Sequence, residues 1–203
     1  MTYENSKIYT YLWYGCSGNY IFFEGMKQKI FVEIGVCDFD TLEPLIDNGW
    51  KGYFVEPVKE YADKLKAYDV TQCAISSYDG MIDFYVSRSD GEEWVKGVSH
   101  AVIQKGTKLL ELENNIQYLS EKISVPCYTL QSYCKMKDIQ YIDFLKVDTE
   151  GHETDIFEAY DWSLHPTLIK LEHFHIDDKN LRNILPQQGY IVYTEGKDMY
   201  AIR

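Results

Sequence analysis

Three segments of this chain contain residue types and spacings that could do chemistry. In the first, the apolar run at 29–34 ends at Gly35, so a buried strand would pass into a tight turn with exposed backbone N–H groups. In the second, the apolar run at 52–55 ends at Glu56, which lies 21 residues after Gly35 (56 − 35). An acid at this spacing from a strand-end glycine can accept the hydroxyls of an adenosine ribose.

The third segment, Ile-Asp-Phe-Leu-Lys-Val-Asp-Thr-Glu-Gly-His-Glu at 142–153, reads as a strand that ends among acids. Strand alternation places Phe144, Lys146 and Asp148 on one face. An unpaired ammonium inside a buried strand would cost several kcal/mol, so Lys146 needs a partner, and Glu33 and Glu172 are the candidates. We interpret Lys146 as half of an ion pair rather than as a catalytic lysine.

Two observations restrict the ligand. The dinucleotide pattern GxGxxG is absent, because Cys37 and Asp40 stand two and five residues after Gly35. This disfavours a pyrophosphate-binding NAD site. The formal net charge of −12 disfavours a nucleic-acid surface, since phosphate backbones attract basic patches.

Strand and helix signals alternate along the chain from residue 29. Predicted strands cover 29–34, 52–56, 70–75, 81–86, a segment that ends at 130, 141–147, 167–174, 190–194 and 199–202. Predicted helices begin at Thr41 and Pro57 and cover 107–119, a short stretch after 130, 152–160 and 177–188. This rhythm predicts an α/β fold with a mostly parallel sheet and helices on both faces.

The 203 residues suit one domain, which we place at 29–203, with 1–28 as an N-terminal extension packed on the core. The long segment from Ser87 to about Gly106 is predicted to be a functional surface loop. Five cysteines without CxxC pairing, and an N-terminus without a signal-peptide pattern, predict a cytoplasmic protein. No apolar run is long enough for a membrane span, so no membrane partner is expected.

The chain resembles the FkbM family of S-adenosylmethionine-dependent methyltransferases from residue 29 to about 195. The most specific piece is Leu-Lys-Val-Asp-Thr-Glu-Gly-His-Glu at 145–153, supported by Val-Glu-Ile-Gly at 32–35 and Val-Glu-Pro at 55–57. The resemblance implies a Rossmann-like class I methyltransferase fold with a seven-stranded sheet in the order 3-2-1-4-5-7-6. In such a sheet, Gly35 and Asp148 would end adjacent strands at the topological switch point.

The resemblance also implies how the cofactor S-adenosylmethionine would be held. By analogy, Glu33, Gly35 and Asp38 would line its amino-acid end, Glu56 would hold the ribose, Ala74 and Ile75 would flank the adenine, and Asp148 would complete the site. The chain departs from the family at 33–39, where the second glycine of the pattern is missing. Asp38 would then take the task of the family's asparagine.

The resemblance implies a methyltransferase that acts on a hydroxyl of a sugar or another small metabolite. Asp148 would position the acceptor, and His152, His173 or His175 would take its proton. A non-catalytic nucleoside-binding module remains an alternative, and an NAD-type oxidoreductase is a weaker one. The expected partner is a small-molecule or glycan acceptor.

A divalent metal is possible but not favoured. The residues that would converge on one rim of the pocket are Asp148, Glu150, Glu172, His173 and His175, and carboxylates with imidazoles can hold Mg²⁺, Mn²⁺ or Zn²⁺. No local spacing such as HExxH fixes a cage, and a hydrogen-bond network explains the same residues with fewer assumptions.

Overall fold

Strands and helices alternate through most of the chain, as the sequence predicts. The computed structural model describes residues 10–14, 19–23, 27–37, 41–87, 100–101, 120–174 and 176–203. The strands are, in chain order, β1 (Thr10–Tyr14), β2 (Asn19–Phe23), β3 (Ile30–Ile34), β4 (Lys51–Val55), β5 (Asp69–Thr71), β6 (Ala74–Ile75), β7 (Gly80–Ser87), β8 (His100–Ala101), β9 (Ser120–Tyr128), β10 (Phe144–Val147), β11 (Leu168–Glu172), β12 (Ile191–Glu195) and β13 (Asp198–Ile202). The helices are a 3-10 helix (Glu43–Asn48) and the α-helices α1 (Lys59–Lys64), α2 (Leu130–Met136), α3 (Glu153–Ala159) and α4 (Lys179–Gln187).

The larger sheet of the described residues has seven strands in the order β5-β4-β3-β10-β11-β13-β12. All pairs from β5 to β11 are parallel, and β13 is antiparallel to both of its neighbours. The predicted α/β class with a mostly parallel sheet is therefore confirmed. When all the described strands are numbered, the order differs from the predicted 3-2-1-4-5-7-6, because β1, β2 and β6–β9 lie outside this sheet. Counted within the sheet alone, the strands run 3-2-1-4-5-7-6.

A second sheet of the described residues has the order β6-β9-β7-β8. The prediction of one continuous strand at 70–75 was wrong. The chain turns after β5, where the N–H of Cys73 donates to the carbonyl of Thr71 at 3.0 Å. This turn sends β6 out of the larger sheet and into the second one, where it pairs parallel to β9.

The segment after β3 is a short 3-10 helix, and the prediction of a helix that begins at Thr41 was correct only in position. The N–H of Leu45 donates to the carbonyl of Leu42 at 2.9 Å, which is the tighter bond of a 3-10 turn. Gly49 ends the helix with a φ of 83°, a conformation that glycine adopts without a steric penalty. The helix therefore covers only Glu43–Asn48.

The larger sheet has a hydrophobic core on each face. One core joins Val32, Val55, Leu145 and other strand residues to α2, α3 and α4. The other core joins Phe31, Phe54 and further aromatic residues to the 3-10 helix. Residues 31 and 32 point to opposite faces because side chains alternate along a strand, so helices cover both faces as predicted.

Two described segments of the predicted 1–28 extension, β1 and β2, pair with each other as an antiparallel hairpin. The predicted packing of this extension on the core lies outside the described residues. Within the part of the chain that the structure describes, no helix has both the length and the apolar character to cross a membrane.

Candidate functional site

A pocket opens at the carboxyl ends of β3, β4 and β10 in the larger sheet. Its walls are formed by Ile34, Gly35, Val36, Cys37, Val55, Glu56, Pro57, Tyr61, Cys73, Ala74, Ile75, Phe84, Asp148, Thr149, Glu150 and His152. β3 and β10 are neighbours in the sheet, while the chain leaves them toward opposite edges. This is the topological switch point, where open α/β sheets bind their ligands.

The floor of the pocket depends on Gly35. A Cβ atom at this position would lie 1.8 Å from the backbone oxygen of Asp148, and Gly35 has a φ of 76°. The N–H of Gly35 donates to Val55 at 3.0 Å, and the N–H of Asp148 donates to Ile34 at 2.9 Å. The ends of three strands thus meet so closely that only glycine fits.

Glu56 lies at the end of β4, lines the pocket and is 3% exposed. Its Oε2 accepts the backbone N–H groups of Val36 at 3.0 Å and Cys37 at 2.9 Å, and its Oε1 accepts the N–H of Val58 at 2.8 Å. Burial raises the pKa of Glu56, and these three hydrogen bonds act in the opposite direction. The carboxylate therefore links the turn after β3 to the segment that leads into α1.

Glu33 is fully buried and is absent from the walls of the pocket, although the resemblance places it beside the cofactor. Its Oε1 accepts Lys146 Nζ at 3.0 Å, and its Oε2 accepts the N–H of Leu42 at 2.8 Å and the hydroxyl of Thr41 at 3.0 Å. Glu33 is thus one of the two partners that the sequence offered for Lys146. Lys146 and Glu33 lie side by side because β3 and β10 pair in register at these two residues. Through Thr41 and Leu42, Glu33 also holds the segment that leads into the 3-10 helix.

The turn after β10 is also held by a buried carboxylate. Glu153, 1% exposed, accepts the N–H of Thr149 at 2.7 Å, the hydroxyl of Thr149 at 2.8 Å and the N–H of Gly151 at 3.1 Å. Glu150 has a φ of 55°, so this turn contains a left-handed residue that its hydrogen bonds must stabilise. Asp148 and Glu150 are presented to the pocket by this turn.

The carboxylates of Asp148, Glu150 and Glu172, here called the acid cluster, have oxygen atoms within 4.8 Å of one another. Burial, followed by repulsion from the neighbouring carboxylates, raises the pKa of Glu150 to about 9. The same causes raise the pKa of Glu172 to about 7. The cluster consequently binds protons near neutral pH instead of holding three full charges.

The acid cluster offers only oxygen ligands, which suit Mg²⁺ or Mn²⁺ better than Zn²⁺. Among the described residues, His173 does not join these three carboxylates as a ligand. The Nδ1 of His173 lies 3.1 Å from the carboxylate of Asp178. The predicted rim of five ligands therefore contains three that meet, one that does not, and His175, which lies outside the described residues.

The sequence profile of the methyltransferase FkbM domain matches residues 29–192 of this chain. The chain belongs to the FkbM methyltransferase family. Among solved structures, it is similar to the ribosomal protein L11 methylase from Lactobacillus delbrueckii subsp. bulgaricus, with a TM-score of 0.39 and 11% sequence identity. That alignment covers 87% of this chain and 69% of the other. None of the curated proteins matches the chain.

Both ring nitrogens of His152 have partners within the FkbM domain. His152 lines the pocket, its Nδ1 lies 3.0 Å from the carboxylate of Asp155, and its Nε2 lies 3.0 Å from the hydroxyl of Ser76. Because a carboxylate only accepts, Nδ1 carries a proton, and in the neutral ring Nε2 then accepts from the hydroxyl of Ser76. Both nitrogens are thus engaged before any ligand enters.

Sequence reasoning missed three residues that bind the pocket's lining residues from outside its walls: Glu153, Asp155 and Ser76. A signal existed for Glu153 and Asp155, because acids are favoured in the first turn of a helix, where the backbone N–H groups have no partner. Ser76 had no local signal, since the turn before β6 brings it to His152 from 76 positions away. Asp38, most of the predicted loop from Ser87 to about Gly106, and the predicted helix at 107–119 lie outside the described residues.

Proposed function

We propose that this FkbM methyltransferase domain binds S-adenosylmethionine in the pocket at the ends of β3, β4 and β10. The observation that carries the proposal is the position of Gly35, where strand ends approach too closely for any Cβ, beside Glu56 at the end of the next strand. A turn of this kind brings backbone close to a ligand, and the acid stands where a ribose would need an acceptor.

The residues present fit a nucleoside cofactor. Ala74, Ile75, Phe84 and Tyr61 give the pocket apolar surface that suits a purine. Glu56 and Asp148 contribute polar groups to the lining. Bound there, S-adenosylmethionine would supply a methyl group on a positively charged sulfur, which the acidic surroundings favour over an anionic ligand.

We further propose that the acceptor is a hydroxyl of a sugar or another small metabolite. Removal of a hydroxyl proton needs a base within reach, with a pKa near the working pH. Asp148 and Glu150 of the acid cluster line the pocket, and Glu172, with a pKa raised to about 7, has a carboxylate oxygen within 4.8 Å of theirs, whereas both ring nitrogens of His152 are already engaged. The cluster is therefore the better candidate for the base.

Two alternatives make different predictions. An NAD-type oxidoreductase needs backbone access for a pyrophosphate, but the turn after β3 has one glycine and its N–H groups already bind Glu56. A non-catalytic nucleoside-binding module would bind the cofactor and never turn over. The family membership favours an active methyltransferase over both.

Titration calorimetry with S-adenosylmethionine, S-adenosylhomocysteine and NAD tests the proposal. We expect the first two to bind and NAD to give no heat. Binding of NAD alone would overturn the assignment. Binding of S-adenosylmethionine without methyl transfer to any member of a panel of sugars and small alcohols would favour the non-catalytic module.

A further inference from the structure

The hydrogen bonds of Glu56 limit what its carboxylate can offer a ligand. A carboxylate has about four lone-pair positions, two on each oxygen. Oε2 accepts from both Val36 and Cys37, and Oε1 accepts from Val58. Three of the four positions are therefore used by the protein's own backbone, and the one that remains is on Oε1.

The backbone around these donors explains why they converge on one oxygen. Gly35 has a φ of 76° and Cys37 a φ of 49°, both in the left-handed region. Alternation of left- and right-handed residues turns successive N–H groups toward one point and forms an anion-binding concavity. In this chain the carboxylate of Glu56 occupies the concavity.

The carboxylate cannot leave these donors without cost. Glu56 and Val36 are both buried at 3% exposure. A buried N–H group without an acceptor loses its hydration and gains nothing in return, so displacement would oppose ligand binding.

We propose that Glu56 is a positioning residue that holds the turn after β3 and the start of α1, and that it accepts only one of the two ribose hydroxyls of the cofactor. This rests on the proposed function and refines it, because the spacing of Glu56 from Gly35 by itself suggests an acceptor for both hydroxyls. The second hydroxyl then has no carboxylate partner at Glu56.

The positioning role is tested on the ligand-free 203-residue chain by amide hydrogen exchange measured by NMR. In Glu56→Ala, we expect exchange at Val36, Cys37 and Val58 to accelerate at least tenfold, because all three donors lose their acceptor. Glu60→Ala is the matched control, since Glu60 is an exposed acid in α1. Wild-type exchange rates at these three amides in Glu56→Ala would overturn the positioning role.

Glu56→Gln separates the two oxygens. The amide oxygen can take the place of Oε2 and keep two N–H partners, while the amide nitrogen then faces the N–H of Val58 as a second donor. We expect exchange to stay within threefold of the wild type at Val36 and Cys37 and to accelerate at least tenfold at Val58. Equal acceleration at all three amides in a folded Gln variant would contradict the assignment of the oxygens.

The single hydroxyl contact is tested with S-adenosylhomocysteine and its 2′-deoxy and 3′-deoxy analogues. A hydrogen bond to a charged group changes affinity by about tenfold or more. We expect one analogue to lose at least tenfold in affinity and the other to stay within threefold. Equal losses for both analogues, or no loss for either, would overturn the assignment.

These outcomes are separable from failure of the proposed function. If the wild-type protein binds no S-adenosylhomocysteine, both the proposed function and the hydroxyl assignment fail. The exchange measurement needs no ligand, so it decides the positioning role independently.

Discussion

Two regions at the carboxyl end of the larger sheet contain buried carboxylates and treat negative charge differently. At the turn after β3, Glu33 is paired with Lys146, and Glu56 accepts three backbone N–H groups. In the acid cluster, the carboxylates lie within reach of one another, and repulsion adds to burial in raising the pKa values. The first region is fixed because its charges are compensated. The second can change its number of bound protons near neutral pH, which is what a base requires.

Gly35→Ala gives the largest expected effect on the fixed region. The new Cβ would overlap the backbone of Asp148, and the φ of 76° disfavours any L side chain. We expect a loss of more than about 3 kcal/mol in unfolding free energy by urea titration, or failure to fold. The matched control is Gly196→Ala, where φ is 61° but nothing lies within 4 Å, and about 1 kcal/mol should be lost. Equal losses for both variants would show that the close approach of Gly35 to the backbone of Asp148 does not add to the loss of stability.

Lys146→Met tests whether compensation keeps the turn fixed. It would leave Glu33 with a buried charge and no cation, at a cost of about 3–5 kcal/mol. Adding Glu33→Gln should recover most of this loss, as measured by urea unfolding. Lys170→Met is the control, because its partner Asp198 is 32% exposed and remains hydrated. A similar cost for both lysines would mean that burial of the partner does not matter.

Glu150→Gln tests the acid cluster through pH. The pKa of Glu150 is about 9 in the folded state, above the ordinary 4.5, so the folded state binds the proton more tightly than the unfolded state does. Stability from this group is therefore present below about pH 4.5 and is lost as pH rises toward 9. We expect the melting temperature of the wild type to fall between pH 5 and pH 9, and that of Glu150→Gln to fall less. Parallel curves would show that the cluster does not titrate in this window.

Metal removal should have the smallest effect. Since protonation can relieve repulsion in the acid cluster without a cation, we expect methyl transfer by EDTA-treated protein to match that of untreated protein. Loss of activity that Mg²⁺ or Mn²⁺ restores would instead make the cluster a metal site. In that case Glu172→Gln should abolish the restoration, whereas Glu195→Gln, in the edge strand β12, should not.

The sequence predicted much of the framework because its signals are local. The apolar runs that became β3, β4 and β10 were placed within a few residues of their observed bounds, as was the terminal hairpin of β12 and β13. Alternation along β10 identified the need for a partner at Lys146 and reduced the choice to two glutamates. The family resemblance, confirmed over residues 29–192, predicted a seven-stranded sheet and a ligand site where the strands before Gly35 and Asp148 end.

Reasoning from local sequence signals failed where the contacts of a side chain depend on residues that are distant in the sequence. The resemblance places Glu33 beside the cofactor, yet its carboxylate binds Lys146 and the segment at 41–42 instead. The strand at 70–75 has no internal Gly or Pro to mark the break between β5 and β6. Ser76 meets His152 only because that break redirects the chain.

By itself, the sequence determined which segments are buried strands, where Gly35 and Glu56 end them, and to which family the chain belongs. Each of these follows from neighbours in sequence, through side-chain alternation, turn preferences and motif spacing. Only the tertiary structure decided that the turn's own N–H groups bind Glu56, that Lys146 pairs with Glu33, and that the three carboxylates of the acid cluster lie close together. Those outcomes depend on the order of strands in the sheet and on the directions of turns, which bring Lys146 into hydrogen-bonding distance of Glu33, 113 positions away in the chain.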